Sequence, residues 1–234
     1  MTSRDPLSRL VNAGAALAAL ALLSKTAHAG NAKLLVFLHL AVKQRALQGD
    51  IQAALPGVEV TAVGRIGDFE RALKEGADAV MAVPPVLAAF NLSARLRGVR
   101  GGATEEKYCL VGVGAEPDPA KVATVGATDL LGRDKTTQFV KDIMGTAPHV
   151  ERVSKVEDLL PLLQMQRADA ILMPSRLFSD IKSASKLALV QKELSKTVGL
   201  PSVAVVTPTG DPAVGSIAKL PGAVMKTLGV DSWR

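Results

Sequence analysis

Two short stretches decide the fold: Ala77-Asp78-Ala79-Val80-Met81 and Ala168-Asp169-Ala170-Ile171-Leu172. Each starts small-Asp-small and runs into apolar residues, the pattern of a short buried strand. They stand roughly 90 residues apart, too far for a solenoid repeat and about the size of one small α/β lobe. What surrounds them also matches. Before the first stretch, residues 33–38 (KLLVFL) read as a strand, and Ala46, Leu47, Ile51, Ala54 and Leu55 recur at helical spacing until Pro56-Gly57. Residues 58–63 (VEVTAV) alternate as a strand, and Asp68 is placed to cap a helix over 69–74. The strand 78–83 then ends at Pro84-Pro85.

The second half repeats this order. Residues 121–126 form a strand, 136–144 a helix closed by Gly145, and 149–153 a short strand. Ser154 and Glu157 bracket a capping box for a helix through Leu163, and the strand 169–173 opens into Pro174-Ser175. Helices alternating with short apolar strands imply parallel sheets with right-handed crossovers. The apolar runs 108–113 and 202–206 flank the second half and are expected to be the two crossover strands of a hinge. A helix over 211–228, kinked at Pro221-Gly222, is expected to pack back on the first lobe. The fold expected is α/β, two lobes with a βαβαβ unit each: residues 30–111 plus 204–234, and residues 112–203.

Residues 1–29 stand apart. Arg4 and Arg9 precede the apolar run 11–23, and Ala27-His28-Ala29 offers a small-x-small cleavage site, so a secretory signal cut after Ala29 is expected. The apolar run is shorter than the ~20 residues of a spanning helix. The formal charge is +6, and Arg4, Arg9 and Lys25 against Asp5 account for two of it. The remaining mild positive charge suits an anionic ligand, but the basic residues are scattered, and aromatics at 3% argue against base stacking, so no nucleic acid partner is expected. One Cys excludes an intrachain disulfide and Cys-pair metal sites.

The runs 58–90 (VEVTAVGRIGDFERALKEGADAVMAVPPVLAAF) and 121–144 (KVATVGATDLLGRDKTTQFVKDIM) resemble the two lobes of type II periplasmic solute-binding proteins, most of all the phosphate, phosphonate and phosphite binding subgroup. The resemblance implies a periplasmic monomer that holds a small oxyanion-type solute between its lobes and hands it to an ABC permease in the inner membrane. That subgroup has a Ser-Thr-Ser-Gly type turn where this chain has Gly132-Arg133-Asp134-Lys135-Thr136-Thr137.

Ligands of parallel α/β lobes bind at the carboxyl ends of the strands, where helix N-termini point. This selects the turn with Gly132, Arg133, Lys135, Thr136 and Thr137, which combines hydroxyls, cationic groups and a helix start. It also selects His39, Arg65, Pro84, Pro85, Ser175 and Arg176 at other strand ends. The apolar strand-end residues Leu40, Ala41, Val42, Pro84, Pro85 and Val86 allow an alternative, a carrier or sensor of a lipid, sterol or hydrophobic acid on the same fold. No nucleophile elbow, His-Glu-x-x-His or nucleotide phosphate loop occurs, so no enzyme is expected. Two isolated His residues beyond the leader make no metal site, and no cofactor is expected.

Overall fold

A computed structural model describes residues 31–40 and 42–234, so the expected leader and its cleavage site lie outside the described residues. The chain first lays down β1 (Ala32–Phe37), α1 (Gln44–Ala54), β2 (Val58–Val63), α2 (Ile66–Gly76), β3 (Ala79–Ala82), α3 (Pro84–Ala89) and β4 (Ala94–Val99). It crosses to a second sheet through β5 (Glu105–Val113), then builds β6 (Thr124–Thr128), α4 (Arg133–Met144) and β7 (His149–Val153). A 3-10 turn at Val156–Asp158 runs into α5 (Leu159–Gln164), followed by β8 (Ala170–Pro174). Another at Ser175–Leu177 runs into α6 (Phe178–Ser183), and β9 (Leu189–Gly199) ends this excursion. The return adds β10 (Ser202–Val205), α7 (Asp211–Ile217), α8 (Gly222–Leu228) and β11 (Ser232–Trp233).

The first sheet has the order β2-β1-β3-β10-β4-β11 and the second β7-β6-β8-β5-β9. The two follow one plan. A first strand lies between two parallel partners, β1 between β2 and β3 and β6 between β7 and β8. An antiparallel strand that starts or ends the passage between lobes comes next, β10 in one sheet and β5 in the other, and a further strand follows it.

The matching stretches earn their likeness structurally. Asp78 accepts the Lys33 N–H at 2.9 Å, and Asp169 accepts those of Ala123 and Thr124 at 3.0 and 2.8 Å. Each Asp N–H in turn donates to the entering first strand, to the carbonyls of Lys33 and Thr124. The carboxylate thus pins the start of the third strand to the start of the first. The alanine after each Asp is wholly buried, where a larger side chain has no room. The Thr207 hydroxyl and the Lys33 N–H hold the Asp78 carboxyl below the usual carboxylate range.

Other expectations shift. The run 108–113 is not a hinge strand: β5 pairs along its length with β8 and β9, and Leu110 and Val111 lie in the second lobe's interior. The chain therefore changes sheets at 100–104 and 200–201, not near 112 and 203. The helix expected over 211–228 is two helices, because Pro221 has no N–H to continue the first. No side-chain capping box forms at Ser154; the first turn there is 3-10 and starts at Val156. Arg65, not Asp68, occupies the cap position of α2, and Asp68 pairs instead with Arg71 at 3.3 Å.

Each sheet is packed on both faces. In the first lobe, Leu34, Val36, Leu47, Ile51 and Ile217 form one core and Leu35, Phe37, Phe69, Val80 and Leu87 the other. Leu130, Leu131 and Phe139 of the second lobe join that second core, so the lobes share an apolar contact beside the passage strands. Among the described residues no helix is long and apolar enough to cross a membrane.

Candidate functional site

The carboxyl ends of the strands of both lobes meet at a cleft of about 540 Å³. One wall comes from the β1–α1 turn, with His39, Leu40, Val42, Lys43 and Gln44, and from the β2–α2 turn, with Gly64, Arg65 and Asp68. The other wall is the turn after β7, with Ser154, Lys155, Glu157 and Asp158. Both helices of the first wall, α1 and α2, start here without a side-chain cap; the first turn of α1 carries no acidic residue, and Lys43 and Arg65 sit at the cap positions. The leading N–H groups of α1 therefore face the cleft with no carboxylate of their own helix beside them, while α2 carries Asp68 in its first turn, where it offsets part of that helix's dipole. Lys43, Arg65 and Lys155 are exposed around the opening.

The turn chosen from the sequence as the strongest anion site is arranged otherwise. Asp129, three residues ahead of the cap position of α4, accepts the Gly132 N–H and the Thr136 hydroxyl, each at 2.9 Å. Its second oxygen pairs with Arg152, and both side chains are largely buried. Thr136 is fully buried and its oxygen accepts the Leu131 N–H at 2.9 Å. Thr137 donates back to the Arg133 carbonyl. The chain's own carboxylate thus takes the place an anion would have at this helix start. Arg133 and Lys135 point into solvent on the outer side of the turn. Gly132, Arg133, Lys135, Thr136 and Thr137 belong to the second lobe, and none of them lines this cleft.

His39 and Arg65 do line it. The His39 ring packs edge-on against Phe37, with centroids 5.0 Å apart, at the junction of the lobes. Neither ring nitrogen reaches water or makes a regular hydrogen bond. Burial brings its pKa down to about 4, and the nearby Asp129 carboxylate and Ser154 carbonyl offset this only in part. The ring is therefore neutral at physiological pH.

Pro84, Pro85, Ser175 and Arg176 serve elsewhere. Pro84 packs on Gly199 at the passage between lobes, in a surface hollow that the cleft does not share. Pro85 follows it in the first turn of α3. The Ser175 hydroxyl is sealed beside Cys109, whose thiol burial pushes up to about 11, so that sulfur is unreactive. Arg176 pairs with Glu106, Nε to oxygen 2.9 Å, with both side chains largely buried. Burial raises the Glu106 pKa and Arg176 partly offsets the rise. The Arg176 guanidinium also lies against Gly229, which ends α8 in the left-handed conformation. Arg176 is thus a contact from the second lobe to the first. A side chain at residue 229 would strain the backbone and collide with it.

Lys43 and Lys155 lie in strand-end turns that the sequence selected without their being ranked as site residues, and Gln44 was not singled out. What was hidden was which helix starts remain open. Val86, counted toward an apolar cleft, is fully buried in the first lobe's core. Among the described residues no three His, Cys, Asp or Glu side chains gather as metal donors.

No protein-family model and no curated protein matches the sequence. Solved structures do. XAC2383 from Xanthomonas citri bound to ATP is 13% identical over 87% of this chain and 90% of its own, with a TM-score of 0.60. The BvgS VFT2 domain of Bordetella pertussis is 12% identical over 85% and 91%, with a TM-score of 0.57. Arginine-bound ArgBP from T. maritima is 16% identical over 85% and 96%, with a TM-score of 0.55. At such identities the likeness is one of fold, and the chain has the two-lobed α/β fold of type II periplasmic solute-binding proteins.

Proposed function

We propose that this chain is an exported receptor for a small solute, which it holds between its lobes and delivers to a membrane permease of the ABC class. One observation carries the reading: α1 and α2 both start at the cleft without a side-chain cap, with Lys43 and Arg65 at their cap positions. Such a wall stabilises a negative group by direct N–H donation, by the dipoles and by two cations, against the single carboxylate of Asp68 on the same wall. The anionic part of the solute therefore belongs to the first lobe, on the wall opposite the second lobe's turns. Proteins of this fold include one bound to ATP and one bound to arginine, so phosphorylated and carboxylate ligands are both within its range. Closure follows when the solute, bound to one wall, gains contacts from the other, and it shifts the lobes only by its preference for the closed arrangement.

The test is native mass spectrometry of the exported protein, followed by calorimetric titration of the anion that co-purifies. Arg65→Met is expected to weaken binding by about ten-fold, the loss of one charged contact, and Arg133→Met to leave it unchanged. A co-purifying neutral lipid, or equal losses in both variants, would overturn the reading.

A further inference from the structure

The floor of the cleft holds polar atoms that neither the fold nor the anionic group accounts for. Both ring nitrogens of His39 and the Oε1 of Gln44 are buried without a regular hydrogen bond, the Ser154 carbonyl being the one backbone acceptor that acts on the ring, and both residues line the cleft. Buried polar atoms are almost always paired in native proteins, so three together at a ligand-sized opening call for an outside partner. The Gln44 amide is anchored at one end: its Nε2 donates to the Leu38 carbonyl at 3.0 Å, which leaves the oxygen as the end without a partner. The one carboxylate near His39, that of Asp129, is committed to Gly132, Thr136 and Arg152. A water-sized space of about 20 Å³ adjoins His39, but Gln44 does not line it, so a single water there leaves the amide oxygen unanswered.

The chemistry of these atoms narrows the partner. An amide oxygen only accepts, and a neutral imidazole offers one donor and one acceptor. A fully ionised oxyanion has no hydrogen to give to Gln44 and meets lone pair with lone pair. A hydroxyl or an amine supplies the hydrogen, while the Ser154 carbonyl is the acceptor at hand for the imidazole N–H. We infer that His39 and Gln44 form a subsite for a hydrogen-bond-donating group of the solute, a hydroxyl or amine carried close to the anionic group that α1 and α2 hold. The ligand class is thus a small hydroxy- or amino-substituted anion and not a bare inorganic one. This rests on the cleft reading above. The subsite also favours the bound state chemically: these atoms are already out of contact with water, and a solute that pairs them relieves the cost of leaving them unpaired.

Two matched probes separate this inference from its basis. Ethylphosphonate and 2-hydroxyethylphosphonate differ by one hydroxyl, and both are titrated into the full chain by calorimetry. The hydroxylated probe is expected to bind about ten-fold more tightly, the worth of one hydrogen bond to a buried acceptor. Gln44→Met, which keeps the length of the side chain and removes the acceptor, is expected to bring the two affinities together. Equal affinities in the unaltered chain would overturn the subsite, and if Arg65→Met still weakened both probes the anion wall would stand. Absence of binding by either probe would overturn the anion wall and the subsite with it. Because the primary comparison uses the unaltered chain, it does not depend on any variant folding.

Discussion

The two lobes share a strand order and differ at one turn. After its first strand, each lobe turns at its inner end into a helix, at 38–43 in the first and 129–132 in the second. In the second lobe Asp129 folds back on the helix start, satisfies Gly132 and Thr136, and is itself neutralised by Arg152. In the first lobe the equivalent position is Leu38, a buried apolar side chain that caps nothing, and α1 opens with Lys43 and no acidic residue. The difference separates scaffold from site. The repeat carries over what folding needs, the Asp that pins third strand to first, and leaves each lobe free at its strand ends. One lobe spent that freedom on stability and the other kept an anion-ready helix start.

The pinning Asp residues themselves offer the sharpest way to break the comparison. Asp78 is roofed by the returning chain: its carbonyl accepts the N–H groups of Val206 and Thr207, and Gly210 lies directly on it. A Cβ at residue 210 would run into the Asp78 carbonyl oxygen, and backbone on both sides leaves nothing flexible to yield. Gly210→Ala is therefore expected to cost about 3 kcal/mol or more, at the upper end of overpacking losses. Asp169 pins its strand through Ala123 and Thr124, both within its own lobe. Hydrogen exchange should consequently show the first sheet of Gly210→Ala opening while the second keeps its protection. Equal loss in both sheets would mean that the lobes fold as one unit.

Asp129 comes next. Its removal leaves Arg152 without its partner and two donors at the α4 start unanswered. Asp129→Ala should cost about 2–3 kcal/mol in chemical denaturation, toward the lower end for a pair that is not wholly buried. The same change uncovers a helix N-terminus like that of α1. Added phosphate should then recover part of the lost stability in the variant more than in the unaltered chain. If phosphate stabilises both equally, Asp129 does not occupy an anion position.

His39 makes stability depend on pH. Its pKa falls from 6.5 in the unfolded chain to about 4 when folded. The folded state then excludes a proton that the unfolded state binds. The stability that rests on a neutral ring is complete above pH 6.5 and is lost as pH falls toward 4, by about 1.4 kcal/mol per unit. Denaturation at pH 7.5 and pH 5 should differ by about 2 kcal/mol more in the unaltered chain than in His39→Gln, which cannot be protonated. Equal pH slopes would show that the ring is solvated or paired when folded.

Much of the architecture was legible, because buried strands advertise themselves. The runs 58–63 and 149–153 coincide with β2 and β7, and the duplicated small-Asp-small stretch identified the equivalent strands of the two lobes. The strands that escaped are those with wet faces. The edge strand β9 (LVQKELSKTVG) alternates charge with apolar residues, and β4 (ARLRGV) carries two arginines. Without β9 to claim its other side, β5 looked free to be a hinge. The turn at 132–137 falls outside the cleft for a different reason. Hydroxyls, cations and a helix start at 132–137 are the right parts, but an Asp three residues upstream competes for the same N–H groups, and that spacing is the signal that marks the turn as occupied. At 38–43 the absence of any such carboxylate is visible in the sequence, yet only the fold shows that the starts of α1 and α2 converge on one cleft.

The smallest expected effect does most to decide between the two turns. Arg133 is the first residue of α4 and is exposed, with the anion position ahead of it filled by Asp129. It makes no ion pair among the described residues, and Asp134 sits beside it in the same first turn. Its charge is screened within about 10 Å at ordinary ionic strength. Arg133→Met should therefore change stability by less than about 0.5 kcal/mol, as a surface substitution away from special features does, and should leave the titration curve of the co-purifying anion where it was. Arg65→Met removes the same charge from a side chain of the same length at the cap of α2, on the cleft wall. Both variants lower the net charge by one, so a long-range field effect would move them together, while a contact moves only Arg65→Met. Repeating both titrations at low and high salt completes the separation: a field effect shrinks in each as salt rises, and a bound contact keeps the two variants apart.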